Sequence, residues 1–164
     1  VFVSKNEVKS WPGLGVLAVL AETIFIERRS LSALKQKNLL ESSLAKGQSL
    51  CFFPEGTSTD GMDVSPFKST LFSICFPEDN QDYIQRSIQP ITLKYTSPPE
   101  KEPGFYSFWH EDDTIFKNIK KIIKSNSSGR VEVIFHEPLF FKDFKGRKDL
   151  SLVCFNLIKE KLIL

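Results

Sequence analysis

Extended and helical segments that alternate along the whole chain predict an α/β domain with a mostly parallel or mixed central sheet flanked by helices. Three observations carry that expectation. Short β-branched and aromatic runs, such as Thr23 to Ile26 and Ile88 to Tyr95, are interleaved with stretches whose apolar residues recur at helical spacing. Two of the early strands are separated by a single helix, the spacing of a β-α-β unit. Finally, 41% hydrophobic residues with 15 Phe in 164 positions suffice for one sizeable core, so residues 1–164 are expected to form a single domain.

In chain order, Val1 to Val3 opens as a strand stub, and Ser4 with Glu7 has capping-box spacing for a turn or short helix. Pro12 suits the first turn of a second helix. Gly13 and Gly15 weaken that helix, while Leu14, Leu17, Ala18 and Ala21 give it an apolar, small-residue face for packing on a sheet. Thr23 to Ile26 is a strand by composition and ends in Glu27-Arg28-Arg29. Ser30 or Ser32 is placed to cap a helix through Lys46, with Leu31, Leu34, Leu39, Leu40 and Leu44 roughly on one face and Gly47 as its stop. Ser49 to Phe53 is a short buried strand, which packs Cys51 in the core. Phe67 to Phe76 carries Phe67, Leu71, Ile74 and Cys75 at helical spacing, and Pro77 closes it.

Ile88 to Tyr95 is a strand in which Pro90 marks an edge, a bulge or a start. Pro98, Pro99 and Pro103 make Thr96 to Gly104 a surface loop, and Phe105 to Trp109 is a candidate short strand. Thr114 to Lys124 is the clearest helix: Ile115, Phe116, Ile119, Ile122 and Ile123 form a stripe, with four lysines mostly opposite. Arg130 to His136 alternates Val131, Val133 and Phe135 against Glu132 and His136, the pattern of a half-buried strand. A last helix from about Lys148 to Leu162 buries Leu150, Val153, Leu157 and Ile158.

Bulk properties exclude several functions. With 22 Lys+Arg against 20 Asp+Glu, the formal net charge of +2 argues against a dedicated nucleic-acid binder, so any attraction to anions is local. Three widely spaced cysteines with no C-x-x-C pair form neither a disulfide framework nor a zinc site, and a reducing cytosol fits them. No apolar run reaches the roughly 18 residues of a spanning helix. The chain opens on Val1-Phe2-Val3 without an initiator Met, as though in mid-strand, and truncation at the N-terminus is expected. His110-Glu111-Asp112-Asp113 contains ligand types, but acidic residues just before Thr114 are what a first helical turn favours, so no metal site is expected there.

The chemistry concentrates at two strand ends. Arg28 closes one strand, and Phe52-Phe53-Pro54-Glu55-Gly56-Thr57 carries the next into a polar, glycine-containing loop. In a β-α-β unit both strands run the same way, so the two ends emerge at one edge of the sheet. A guanidinium fork, the amides around Gly56 and Thr57 and the Thr57 hydroxyl together suit a phosphate. Against this stands the plainer reading of a solvated strand end and an ordinary turn.

The blocks Ile24-Phe25-Ile26-Glu27-Arg28, Phe53-Pro54-Glu55-Gly56-Thr57 and Ile88-Gln89-Pro90-Ile91-Thr92 resemble, in order and spacing, the second, third and fourth blocks of the glycerolipid acyltransferase family. These are the 1-acylglycerol-3-phosphate, or lysophosphatidic acid, acyltransferases. Val1-Phe2-Val3-Ser4-Lys5 with Pro12 and Gly15 is similar to the segment before the second block, so the resemblance spans roughly Val1 to Tyr95.

The resemblance implies a glycerolipid-acyltransferase-like fold. It also implies transfer of a fatty acyl group from acyl carrier protein or coenzyme A to 1-acylglycerol 3-phosphate, giving phosphatidic acid in phospholipid biosynthesis. No metal or redox cofactor is implied; the acyl thioester is a co-substrate. Arg28, Glu55, Gly56 and Thr57 inherit the phosphate-binding role, with Lys5 as an addition. Because Glu55 would repel a phosphate, its expected part is to pair with Arg28 or Lys5, or to accept a substrate hydroxyl proton. Where the family has Arg-Ser after the Thr, Ser58-Thr59 stands here, which removes one cationic contact. Lysophospholipid, acyl donor and membrane surface are the implied partners, and the implied location is the cytoplasmic face of a membrane, peripherally. The lysines of the Thr114 to Lys124 helix could face anionic lipid, although one apolar stripe is more often the core side of a helix.

The first block of the family, H-x-x-x-x-D, supplies the base for the acceptor hydroxyl. Neither histidine fits it, since Ile115 follows His110 and Phe141 follows His136 at that spacing. The catalytic His and its Asp are expected outside residues 1–164 or absent, so this chain alone is expected to be inactive. The alternative is a truncated, inactive homologue that binds phosphate or anionic lipid, and the generic alternative is an unrelated phosphate-binding α/β domain.

Overall fold

β1 (Val3–Lys5) is flanked on both sides by parallel partners, the arrangement a crossover connection dictates. On one side it pairs with β2 (Ile24–Ile26) in the register Val3 to Ile24, Ser4 to Phe25 and Lys5 to Ile26. On the other side Phe2 bridges Cys51: the Cys51 amide donates to the Val1 carbonyl, and the Val3 amide to the Cys51 carbonyl, both at 2.8 Å. The computed structural model describes residues 1–27, 33–76, 85–107 and 114–163. Arg28, Arg29, the Ser30 and Ser32 caps, Leu31, Pro77 and the stretch Trp109 to Asp113 lie outside the described residues.

The chain divides into two compact units, Val1–Pro54 and Glu55–Leu164. In the first, a 3₁₀ turn over Asn6–Ser10 follows β1. Its cap is Lys5 without a side-chain bond, so the expected Ser4–Glu7 capping box is not made. The backbone of Ser4 is committed to β1, opposite Phe25. Gly13, at φ +75°, opens α1 (Leu14–Leu20). Gly15 is buried, and a Cβ there would overlap the Lys9 carbonyl, so only glycine lets α1 rest on the 3₁₀ turn. The packing face expected of Leu14, Leu17, Ala18 and Ala21 needs correction: Leu14 and Ala18 are half-buried, whereas Leu17 and Ala21 are exposed alongside Val16, Val19 and Leu20. α2 (Ala33–Ala45) buries Leu40 but not Leu39 and stops, as expected, at Gly47 with φ +79°.

The second unit pairs β3 (Ser87–Ile88) with β6 (Leu139–Phe140) and β4 (Ile91–Thr96) with β5 (Arg130–Phe135), both antiparallel. Pro90 breaks the expected continuous strand into β3 and β4, because it lacks the amide a ladder needs. Its carbonyl instead accepts the His136 amide at 3.0 Å. Among the described residues, then, the strands form one parallel and two antiparallel pairs, a mixed α/β arrangement.

α3 (Ile115–Ile123) is capped by Thr114, whose hydroxyl accepts the Lys117 amide. α4 (Arg147–Ile163) packs against β4 and against a 3₁₀ turn over Leu71–Cys75. That turn replaces the longer helix expected from Phe67 to Phe76. The core of this unit is Phe72, Ile74, Cys75, Phe141, Leu150 and Cys154, all at most 5% exposed. Phenylalanine does much of the filling: Phe67 stacks on Phe72 and meets Phe155 edge-on, with centroids 6.4 and 5.5 Å apart.

Three further expectations are corrected. Phe105 to Ser107 forms turns, with Phe105 buried and its amide donating to Ser97 Oγ at 3.1 Å, so no strand starts there. Cys51 is exposed rather than core-packed. Ser49 to Phe53 contributes a single bridge to the sheet, not a buried strand.

Candidate functional site

In the first unit, the parallel direction of β1, β2 and Cys51 brings three carboxyl ends to one edge. Lys5 ends β1 opposite Ile26, half-buried, and Phe52 to Pro54 leaves the unit from the same edge. Open α/β sheets bind ligands at that edge. A cleft of about 200 Å3 lined by Val1, Ile24, Leu39, Ser43, Lys46 and Gln48 lies at the opposite, amino end of these strands. Arg28, two residues beyond β2, falls outside the described residues.

Glu55, Gly56 and Thr57 open the second unit. The Glu55 carboxylate accepts the Ser65 amide at 2.8 Å, closing a loop ten residues long from within. Gly56 sits at φ +68°, a left-handed conformation that costs an L-residue about 1–2 kcal/mol. Thr57 is exposed, and its hydroxyl donates only a long bond of 3.4 Å to the Ser58 carbonyl. Among the described residues, the amides of Thr57 and Ser58 donate to no protein acceptor. The Thr59 hydroxyl and the Asp60 carboxylate hold the far side of the loop through the Gly61 and Met62 amides.

Lys68 crosses this loop. Its Nζ, Cδ and Cε lie 2.8, 3.1 and 3.2 Å from the point a Cβ on Gly56 would occupy. Gly56 is therefore required twice, for its φ and for the space its missing side chain leaves. Lys68 belongs to no motif read above; a census of charge on the loop's flanks is the signal that points to it.

Among the described residues, the further candidate base and nucleophiles are His136 and the three cysteines. His136 Nε2 lies 2.8 Å from the Thr92 hydroxyl, and Thr92 is fully buried between β5 and α4, with its Oγ1 also 3.4 Å from the Ile158 carbonyl. Burial and the nearby Lys161 charge lower the His136 pKa below its ordinary 6.5, against an opposing pull from Glu160. Burial pushes the Cys75 and Cys154 thiols up to about 12, which keeps them protonated and poorly nucleophilic. Partial shielding also raises the Cys51 thiol. Among the described residues, no group of His, Cys, Asp or Glu is placed to hold a metal ion.

A family model described as Acyltransferase matches residues 1–94. The lyso-ornithine lipid O-acyltransferase of Rhodobacter capsulatus is 44% identical over 153 residues, covering 93% of this chain and 54% of that protein. The 1-acyl-sn-glycerol-3-phosphate acyltransferase of Neisseria gonorrhoeae is 40% identical over 72 residues, covering 43% of this chain and 28% of that protein. Among solved structures, the 1-acyl-sn-glycerophosphate acyltransferase PlsC of Thermotoga maritima shares the fold over 99% of this chain and 55% of its own, with a TM-score of 0.58 at 18% identity. The chain belongs to the glycerolipid acyltransferase family. It spans about half the length of the Rhodobacter relative.

Proposed function

We propose that the complete protein moves a fatty acyl group from a coenzyme A or acyl carrier protein thioester to the free hydroxyl of a lyso-lipid, and that lyso-ornithine lipid is its preferred acceptor. One observation carries the choice of acceptor: the likeness to the lyso-ornithine lipid enzyme runs through 93% of the chain, whereas the likeness to the Neisseria enzyme covers 43%. The loop chemistry agrees. An ornithine joined through one amine keeps a singly charged carboxylate and an ammonium, so it needs fewer cations than a phosphate dianion. Ser58-Thr59, where the family has Arg-Ser, suits that lower charge.

In the reaction the acceptor oxygen attacks the thioester carbonyl, the new C–O bond forms, the C–S bond breaks, and the thiol leaves with the proton that a base took from the hydroxyl. His136 is bonded to a buried hydroxyl, which supports assigning the base to a residue other than those described here. By the family resemblance, Arg28 and Lys5 in the first unit and Glu55, Gly56 and Thr57 in the second are assigned to the acceptor, and Glu55 shapes its own loop through Ser65.

The second reading is the family expectation of 1-acylglycerol 3-phosphate, favoured by the Phe53-Pro54-Glu55-Gly56-Thr57 block. Initial rates of the complete protein on the two acceptors, with a common acyl thioester, separate the readings. At least tenfold higher kcat/KM on lyso-ornithine lipid is expected; the reverse preference assigns the phosphate acceptor, and no transfer to either leaves the lipid-binding homologue.

A peripheral place on a cytoplasmic membrane face completes the proposal. No helix among the described residues is long and apolar enough to cross a membrane. α3 turns Asn118 inward, where its Nδ2 donates to the Ser107 carbonyl at 2.6 Å, and leaves Phe116, Ile119 and Ile123 exposed beside Lys117, Lys120, Lys121 and Lys124. Exposed apolar residues bordered by cations suit an anionic lipid surface.

A further inference from the structure

We propose that Lys68 is the cation of the Glu55–Thr57 loop, holding the anionic group of the acceptor. The proposal rests on the lyso-lipid acyltransferase reading and adds to it a residue that no motif assigns. Four observations converge. The Lys68 stem lies across Gly56, with Nζ 2.8 Å from where a Cβ would stand, so the solvent-exposed ammonium sits over the backbone of the loop. Among the described residues no carboxylate lies within ion-pair distance of it, although Glu55 is in the same loop, because that carboxylate is turned to the Ser65 amide. The adjacent Thr57 and Ser58 amides and the Thr57 hydroxyl are donors without a strong protein acceptor. Finally, the backbone of Lys68 is fixed on both sides: its carbonyl accepts the Leu71 amide at 3.2 Å, and the neighbouring Phe67 is wedged between Phe72 and Phe155.

An ammonium over the loop backbone, beside two open amides and a hydroxyl, is a site for one carboxylate or one phosphate, the charged group of either acceptor. A lysine is a point charge without the guanidinium fork, so it holds a singly charged carboxylate as well as a phosphate. The loop's geometry follows from this arrangement. Any side chain at position 56 displaces the ammonium, and loss of the Glu55 clamp frees a competing anion beside it.

The test compares the complete protein with Lys68→Met, which keeps the stem over Gly56 and removes the charge, Lys68→Arg, which restores it, and Lys142→Met, which removes one exposed charge elsewhere. Equilibrium binding of short-chain lyso-ornithine lipid and of short-chain 1-acylglycerol 3-phosphate is measured by calorimetry, together with KM for acceptor and thioester. Lys68→Met is expected to weaken acceptor binding and raise acceptor KM at least tenfold, with thioester KM unchanged; Lys68→Arg recovers most of the loss, and Lys142→Met matches the parent. Equal acceptor affinity in Lys68→Met and the parent overturns the proposal, as does a loss that Lys68→Arg does not recover. Charge-dependent binding without transfer supports the Lys68 site while sinking the acyltransferase reading, and transfer with no Lys68 dependence does the opposite.

Discussion

Gly56 is the residue on which the loop turns, because it supplies both a left-handed φ and the gap that Lys68 fills. Gly56→Ala in the complete protein is expected to lower stability by about 1–2 kcal/mol and to raise acceptor KM, read by urea unfolding and initial rates. An alanine that changed neither would mean that the loop does not need this conformation. The pattern E-G-T made a tight polar turn legible; the overlying ammonium was not, because Lys68 is brought there by a loop that Glu55 closes in space. His136 shows the same limit. Its partner Thr92 lies 44 residues away in sequence. With its folded pKa lowered and its unfolded pKa near 6.5, His136 takes up a proton more readily when the chain unfolds. Its contribution to stability is therefore complete above pH 6.5 and is lost as pH falls through the folded value. Unfolding midpoints measured downward from neutral pH should fall, and His136→Gln should flatten that slope; an identical slope in the variant would remove His136 as its source.

At the scale of elements, periodicity identified strands and helices but not which side each one buries. β5 alternates as expected, yet Val131, Val133 and Phe135 are 52, 49 and 63% exposed. The other side, Glu132, Ile134 and His136, is the more buried. The inner face is set by α4, which receives Thr92 from β4 and thereby takes the polar side of the pair. α3 departs in the same way: Asn118 is buried, and Ile123, in the stripe expected to pack inward, is 77% exposed. Ile123→Ser should therefore change stability by less than about 0.5 kcal/mol. Paired with Lys120→Glu, it should weaken sedimentation of the complete protein with anionic vesicles by about tenfold, the order expected from one apolar side chain and one charge near a lipid surface. Unaltered vesicle binding would exclude α3 as the lipid-facing element.

For the molecule as a whole, the question is whether residues 1–164 contain a complete reaction centre. The proposed acceptor side has Gly56, Thr57 and Lys68, while the described histidine is engaged with Thr92. Residues 1–164 assayed alone with thioester and either lyso-acceptor are expected to give no acyl transfer above the reaction without protein. Measurable turnover would show that the base lies within these residues after all.

The sequence by itself determined the family and the α/β class, because strand composition, glycine positions and the F-P-E-G-T block act over a few neighbouring residues. Tertiary structure alone decided which faces are inside and which cation reaches the loop. Both depend on surfaces that meet only after folding: α4 against β4 sets the inner side of a strand pair, and the Glu55–Ser65 bond closes the loop across which Lys68 lies.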